Sequence, residues 1–187
     1  MIKSELRKIY KTKRNNLTSP EIDKMEDLML IQFQNFGFDI PDNVIVYAPC
    51  EDTNEYNPLL IIDYCKFKNP AVQFSYPVIS GEELNAFHVN DDTAFTKNKY
   101  GIEEPVDSTI VAPEKIEMIL IPLLIFDKSG QRVGYGKGYY DRFLKKCPDS
   151  TLKIGLSFFE PVDRILDVNK YDVPLDYCVT PMEVYYF

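Results

Sequence analysis

Histidine is almost missing from this chain: His88 is the single one in 187 residues. Cysteine is sparse as well, and Cys50, Cys65, Cys147 and Cys178 form no C-x-x-C pair. Zinc sites of the cysteine and histidine type are therefore not expected, nor is Ser-His or Cys-His catalysis unless His88 serves. His88 sits in the alternating stretch "NAFHVN", which reads as a strand, so an ordinary strand histidine is expected. Long apolar runs are lacking too. The longest, "MILIPLLIF", is about half of what a bilayer requires. The opening "MIKSELRKIYKTKR" has no apolar centre of the secretory kind, so a cytoplasmic protein without a membrane partner is expected. Positive charge is in deficit, with 21 Lys and Arg against 29 Asp and Glu and a formal net charge of −8. A nucleic-acid surface needs a basic face, so nucleic acid is not expected as a partner. A small anion needs only a few local cations. Chemistry in such a chain rests on carboxylates, lysine, arginine and tyrosine.

What is present is enough for a core: 45% of the residues are apolar. The length and the lack of a linker or repeat favour one domain over 1–187. Residues 2–16 read as a helix with the apolar stripe Ile2, Leu6 and Ile9, and with Lys3, Arg7, Tyr10 and Arg14 on a neighbouring stripe. Thr18, Pro20 and Glu21 mark the start of a second helix, which ends near Gly37. "NVIVYAP", "AVQFSYPVI", "LNAFHV", "LKIGLSF", "DYCVT" and "EVYYF" read as strands, "NPLLIIDYCKF" and "YYDRFLKKC" as helices, and residues 90–115 as loop with local order. "IEMILIPLLIF" has the unbroken apolar character of a strand buried on both faces. Strands alternating with helices imply an α/β domain with a mainly parallel sheet.

The stretch "FDKSGQRVGYGKGYYDRF", residues 126–143, follows the most apolar strand and precedes a helix. In α/β folds ligands sit at the carboxyl ends of strands, in such connections. Glycine lets the backbone approach a ligand closely, and the start of the next helix favours an anion. Two familiar phosphate templates fail. Walker A would need glycine where Gln131 stands and Ser or Thr where Gly138 stands; the dinucleotide pattern would need glycine where Tyr139 stands. Locally the stretch is either a generic phosphate cradle, with Lys137 as a mobile charge, or a tight turn before a helix. Asp141, in the first helical turn, suits either dipole stabilisation or Mg²⁺ beside a triphosphate, and Arg132 is placed to meet phosphate charge.

The same stretch closely resembles the signature of the 5-formyltetrahydrofolate cyclo-ligase family, roughly F-D-x-x-G-x-R-L-G-x-G-x-G-Y-Y-D. Phe126, Asp127, Gly130, Arg132, Gly134, Gly136, Gly138, Tyr139, Tyr140 and Asp141 match, and Val133 replaces leucine. Lys3 and Arg7 match the family's K-x-x-x-R start, and Arg14 a further basic position. Tyr76-Pro77, Gly101 to Pro105, and Asp172, Val173, Asp176 and Thr180 continue the likeness along the chain. One departure concerns the family's N-E-V-x-T. Asn54-Glu55-Tyr56-Asn57 resembles it but lies about two residues further from Pro49 than usual, so the folate-contacting position falls on Glu55, with Glu51 or Thr53 as rivals.

The resemblance implies a three-layer α/β/α fold with a mainly parallel sheet, like that of sugar-phosphate isomerases and coenzyme A transferases. It implies conversion of 5-formyltetrahydrofolate and ATP into 5,10-methenyltetrahydrofolate, ADP and phosphate, with Mg²⁺ as cofactor. Carried over to this sequence, Lys3, Arg7, Arg132 and the run Gly134, Tyr135, Gly136, Lys137, Gly138, Tyr139 and Tyr140 bind ATP. Glu55, Tyr135, Gly136, Lys137, Gly138 and Tyr139 bind the folate. Lys137, Arg132 and Tyr139 act in catalysis, and Asp141 and Asp172 hold the metal. The expected partners are then these two small molecules, with a monomeric protein. Rival readings are a non-catalytic folate- or nucleotide-binding protein on the same scaffold, and an ATP-independent isomerase or transferase.

Overall fold

A computed structural model describes residues 1–98 and 101–187, apart from the side chain of Glu51. The first apolar stripe and its basic neighbour form α1 (Lys3–Asn15), and the Glu5 carboxylate accepts the Ile2 N–H at 3.1 Å. α2 (Ser19–Phe36) starts where the cap residues place it. Glu21 accepts from the Thr18 N–H at 2.8 Å, and Gly37 ends the helix in the left-handed region at φ 74°. The chain continues through β1 (Asn43–Ile45), α3 (Leu59–Lys68) and the hairpin β2 (Gln73–Ser80) and β3 (Glu83–Val89). Short strands β4 (Phe95–Lys97), β5 (Glu103–Pro105) and β6 (Ile110–Val111) fill the polar stretch. β7 (Met118–Pro122) is followed by β8 (Ile125–Phe126), β9 (Arg132–Val133) and α4 (Tyr139–Leu144). β10 (Leu152–Leu156), β11 (Tyr177–Val179) and β12 (Val184–Tyr186) complete the order.

Among the described residues an eight-stranded sheet runs β12-β11-β10-β7-β1-β2-β3-β6. Its five inner strands, β11 to β2, pair in parallel; antiparallel strands flank them at both edges. Alternate side chains of β7 serve two faces. Met118 and Leu120 pack with Met29 and Phe33 of α2 and Ile61 and Cys65 of α3. Ile119 and Ile121 pack on the other face with Phe126 and with Phe143 and Leu144 of α4. The fold is thus an α/β sheet flanked by helices, as the sequence implies. No helix among the described residues is long and apolar enough to cross a membrane.

Two segments differ from the sequence reading. The run "IEMILIPLLIF" is not one strand. Pro122, which has no N–H to donate, ends the ladder opposite Leu156, and after Leu123 and Leu124 the chain pairs β8 with β9 in a separate hairpin. The last helix is also shorter than "YYDRFLKKC", six residues ending at Leu144. Pro77 sits inside β2 without harm, because it lies beyond the three residues that pair with β1. His88 is a strand residue opposite Ser75 in the β2–β3 ladder, as expected.

Candidate active site

The parallel strands β1 and β7 lie side by side, and their carboxyl ends carry the two segments that build the site. After β1 the chain runs through Tyr47 to a 3-10 turn, Glu51–Thr53, and Glu55. After β7 it runs through the β8–β9 hairpin into Gly134–Gly138. Helix α1 lies over this hairpin, with Leu6 buried against Ile125, Val133 and Ile165.

Asp127 makes the hairpin turn. Its Oδ1 accepts from the Ser129 N–H at 2.9 Å, the Ser129 hydroxyl at 2.7 Å and the Gln131 N–H at 3.1 Å, while Oδ2 accepts from the Ile165 N–H at 2.9 Å. Gly130 follows at φ 80°, where a Cβ would stand 2.8 Å from the Phe187 ring. Only glycine fits there. The start of the signature is therefore scaffold.

Arg7 fastens the glycine loop to α1. Its Nε donates to the Gly134 carbonyl at 2.9 Å, and a Cβ on Gly136, at φ 90°, would stand 3.0 Å from its guanidinium carbon. Gly134 faces open space: a Cβ there would meet nothing within 4 Å. The Lys137 side chain is exposed and has no partner among the described residues. Gly138, at φ 68°, starts α4, and Arg142 donates from Nη1 to the Lys137 carbonyl at 3.0 Å and from Nη2 to the Glu82 carbonyl at 2.6 Å. Arg142 thus ties the loop to the β2–β3 turn and stacks 5.3 Å from the centre of the half-buried Tyr139 ring. No sequence signal pointed to that role.

A cluster of opposite charges borders the loop. Arg132 Nη2 donates to Asp141 Oδ1 at 2.7 Å, and its Nη1 donates to the Val173 carbonyl. Asp141 Oδ1 also accepts the Val173 N–H at 3.1 Å. Lys3 Nζ donates to Asp172 Oδ2 at 2.5 Å, and the Asn169 N–H reaches the same oxygen at 2.7 Å. Burial lowers the Arg132 pKa, and the charges of Asp141 and then Asp172 oppose that. Asp141 Oδ2 and Asp172 Oδ1 accept no hydrogen bond from a described residue. Among the described residues no three acidic, histidine or cysteine side chains make a metal cage. This donor set suits a hard cation that takes one or two carboxylate oxygens and completes its shell with phosphate and water, the habit of Mg²⁺.

Tyr135 of the loop joins a triad with two buried residues, Arg14 and Glu55. Arg14, 3% exposed, donates from Nε to the Thr53 carbonyl at 2.7 Å, from Nη1 to the Leu123 carbonyl at 3.5 Å and from Nη2 to the Tyr135 hydroxyl at 2.6 Å. The Tyr135 hydroxyl in turn donates to Glu55 Oε1 at 2.5 Å, and Glu55 Oε2 accepts the Cys50 N–H at 3.0 Å. Desolvation raises the Glu55 pKa; Tyr135, the Cys50 N–H and Arg14 pull against it. Burial also raises the Tyr135 and Tyr140 phenols, and the Glu55 charge adds to both shifts, so both stay protonated. Asn54 sets this geometry. It adopts φ 48°, a left-handed conformation that asparagine tolerates, and its amide donates to the carbonyls of Arg14 and Leu17 at 3.2 and 3.3 Å. Of the three rival folate positions, Glu55 points at the glycine loop. Thr53 turns its hydroxyl to the Cys50 carbonyl at 3.0 Å, and the Glu51 side chain lies outside the described residues.

Residues 1–181 match the 5-formyltetrahydrofolate cyclo-ligase family. The chain belongs to that family. It is similar to the solved 5,10-methenyltetrahydrofolate synthetase of Aquifex aeolicus, with 30% identity and a TM-score of 0.82 over 100% of this chain and 93% of that one. The fold is also that of the Mycoplasma pneumoniae synthetase, with 24% identity and a TM-score of 0.77 over 97% and 99% of the two chains. Among curated relatives, the cyclo-ligase of Escherichia coli strain K12 is 35% identical over 109 residues, 57% of this chain and 60% of that protein. The Mycoplasma genitalium cyclo-ligase is 39% identical over 69 residues, and the chain covers 42% of its length.

The cyclo-ligase signature thus falls into a scaffold half, whose Phe126, Asp127 and Gly130 are buried, and a more exposed half, Gly134 to Gly138. The residues that the resemblance assigns to the cyclo-ligase site stand around one loop. Arg7 holds the Gly134 carbonyl, Arg132 pairs with Asp141 and Lys3 with Asp172, and Tyr135 within the loop holds Glu55. The sequence did not expose the part of Arg14, which is a buried connector of α1, the Thr53 segment and the loop. Its place on the basic stripe and its match to a basic position of the family were the only hints.

Proposed function

We propose that this chain converts 5-formyltetrahydrofolate and ATP into 5,10-methenyltetrahydrofolate, ADP and phosphate, as a single catalytic domain over 1–187. One observation carries the reading. Next to the glycine loop, whose exposed Lys137 ammonium has no partner among the described residues, stand two partly free carboxylates, Asp141 and Asp172, and a buried carboxylate, Glu55, bound by the Tyr135 phenol. A phosphate donor held at the first two and a heterocycle held at Glu55 meet across Gly134–Gly138.

The formyl group on N5 is an amide, so its carbon is a poor electrophile and its oxygen a poor leaving group. Transfer of the γ-phosphoryl group to that oxygen breaks the bond to ADP and gives an N5-iminium phosphate. N10 then attacks the carbon, its proton leaves to solvent, and the C–O bond breaks with release of phosphate. Positioning and charge neutralisation do most of this work. Arg7, packed against Gly136, and the open face of Gly134 hold the phosphate chain, with Lys3 and Tyr140 bordering it. The unpaired Lys137 ammonium follows the transferred group, and Arg132 offsets charge through its pair with Asp141. Glu55 and Tyr139 orient the pterin, Tyr135 and Gly138 closing over it. Asp141 and Asp172 hold Mg²⁺, which when bound neutralises the phosphate oxygens. A cytoplasmic monomer is part of this reading.

The test is the near-ultraviolet absorbance of methenyltetrahydrofolate after mixing the purified chain with 5-formyltetrahydrofolate, Mg²⁺ and ATP. Signal that depends on ATP supports the reading. Absence of signal at high enzyme concentration, with folate bound, makes the chain a binding protein on the same scaffold. Signal without ATP assigns it to a different chemistry.

A further inference from the structure

Three buried side-chain polar atoms among the described residues have no hydrogen-bond partner: the hydroxyls of Tyr47 and Tyr56 and the Oε1 of Gln131. Such groups destabilise a fold unless something outside the chain completes them. Gln131 belongs to the hairpin turn. The acidic groups that act on Tyr56 are Glu26 and Asp27 of α2. Tyr47 stands in the site. It follows β1, a central strand, at the carboxyl end where ligands bind in such sheets, and it is 3% exposed. Its ring is held by the core on the α2–α3 face of the sheet, so the hydroxyl has little freedom to turn toward bulk water. The charged and phenolic groups around it are Glu55, Tyr56, Tyr140 and Tyr135.

We propose that Tyr47 is a substrate-binding residue whose hydroxyl hydrogen-bonds the polar edge of the pterin next to the group that Glu55 takes. The inference rests on the folate reading above. An ionised carboxylate only accepts, so Glu55 selects N–H donors. A phenol beside it donates, so Tyr47 selects the neighbouring ring nitrogen or carbonyl oxygen. The pyrimidine ring of a pterin offers that alternation, with an amino group and a ring N–H flanked by acceptors. The Tyr135 hydroxyl now occupies Glu55 Oε1, and Tyr135 is the more exposed residue at 38%. A pterin N–H replaces it on the carboxylate, and the same displacement uncovers Tyr47.

Tyr47→Phe tests the proposal in the full-length chain, with Tyr56→Phe as the control for a neighbouring unpaired hydroxyl whose acidic neighbours lie on α2. Calorimetric titration with 5-formyltetrahydrofolate, thermal melting and the KM for ATP are the readouts. Tyr47→Phe is expected to bind folate about tenfold more weakly, the loss of one neutral hydrogen bond, with an unchanged KM for ATP and a Tm equal to or above the parent's. Tyr56→Phe is expected to leave folate affinity unchanged. Equal folate affinity in the parent and Tyr47→Phe overturns the inference alone. A Tyr47→Phe Tm several degrees lower also overturns it, because the hydroxyl then has a partner inside the fold. A parent chain that binds no 5-formyltetrahydrofolate overturns the functional reading and this inference with it.

Discussion

The Arg7 guanidinium occupies the space that a side chain on Gly136 would need. The gap from a Cβ at Gly136 to the guanidinium carbon is 3.0 Å, while Arg7 Nε holds the Gly134 carbonyl at 2.9 Å. The basic stripe of the first helix and the glycine loop, more than a hundred residues apart, are therefore one device. The helix supplies the charge, and the missing Cβ atoms let it reach the main chain.

Gly136→Ala is expected to lose activity far more than stability. A φ of 90° costs an alanine about 1–2 kcal/mol, and the new methyl pushes Arg7 out of line. Steady-state kinetics should show a rise in the KM for ATP together with a loss of kcat of more than about tenfold, since a small misplacement of a positioned group is costly. A Tm drop of only a few degrees is expected alongside. A variant with normal ATP kinetics would separate the loop from the nucleotide.

Asp127→Ala is expected to behave in the opposite way. One carboxylate serves three backbone N–H groups and a hydroxyl between the hairpin and Ile165. Truncation leaves buried donors unpaired, worth about 4 kcal/mol in total and on the order of 10 °C in Tm. The protein that remains folded at low temperature should turn over normally. Thermal melting and kinetics on the same sample decide between scaffold and catalytic roles for this half of the signature.

The parts of this molecule legible in the sequence are those written in consecutive residues. Thr18, Glu21 and Gly37 bounded α2 because caps and left-handed ends are local chemistry. Seven of the eight strands of the sheet announced themselves by apolar alternation or unbroken apolar runs, while β6 fell in the stretch read as loop. The glycine run and the Lys3–Arg7 stripe were visible for the same reason. The Arg14–Tyr135–Glu55 triad was not, because its hydrogen bonds join positions 121 and 80 residues apart. The break at Pro122 was hidden by the apolar residues after it, which are as buried in the hairpin as they would be in a continued strand. β4 and β5 pair only three residues each, too few for a periodic signal.

Asp141→Asn separates charge from geometry. Asparagine keeps an Oδ1 acceptor for Arg132 Nη2 and the Val173 N–H, so the loop stays anchored. It removes the charge that offsets buried Arg132 and the second oxygen that is open to a cation. A Tm lower by a few degrees is expected, with turnover reduced by about a hundredfold and a higher Mg²⁺ concentration for half-maximal rate. If the Mg²⁺ dependence were unchanged, Asp141 would be a structural partner of Arg132 and nothing more.

Glu55 gives a pH signature whose sign follows from burial. Desolvation raises its folded pKa above the ordinary glutamate value, against the smaller opposing effects of Tyr135, the Cys50 N–H and Arg14. The native state then holds this proton more tightly than the unfolded chain. Stability is therefore lost as pH rises from the unfolded pKa to the folded one, and the cost is complete above the latter. Glu55→Gln cannot titrate, so it escapes that cost. Its altered hydrogen bonds shift the Tm by an amount that does not depend on pH. The Tm of the variant minus that of the parent is accordingly expected to climb with pH from about 4 toward neutrality and then level off. A difference that falls over this range would mean that Arg14, 4.0 Å from Oε1, outweighs desolvation and holds the carboxylate ionised. The rising outcome describes a carboxylate whose charge is costly in the free protein and becomes favourable once a ligand's N–H groups arrive.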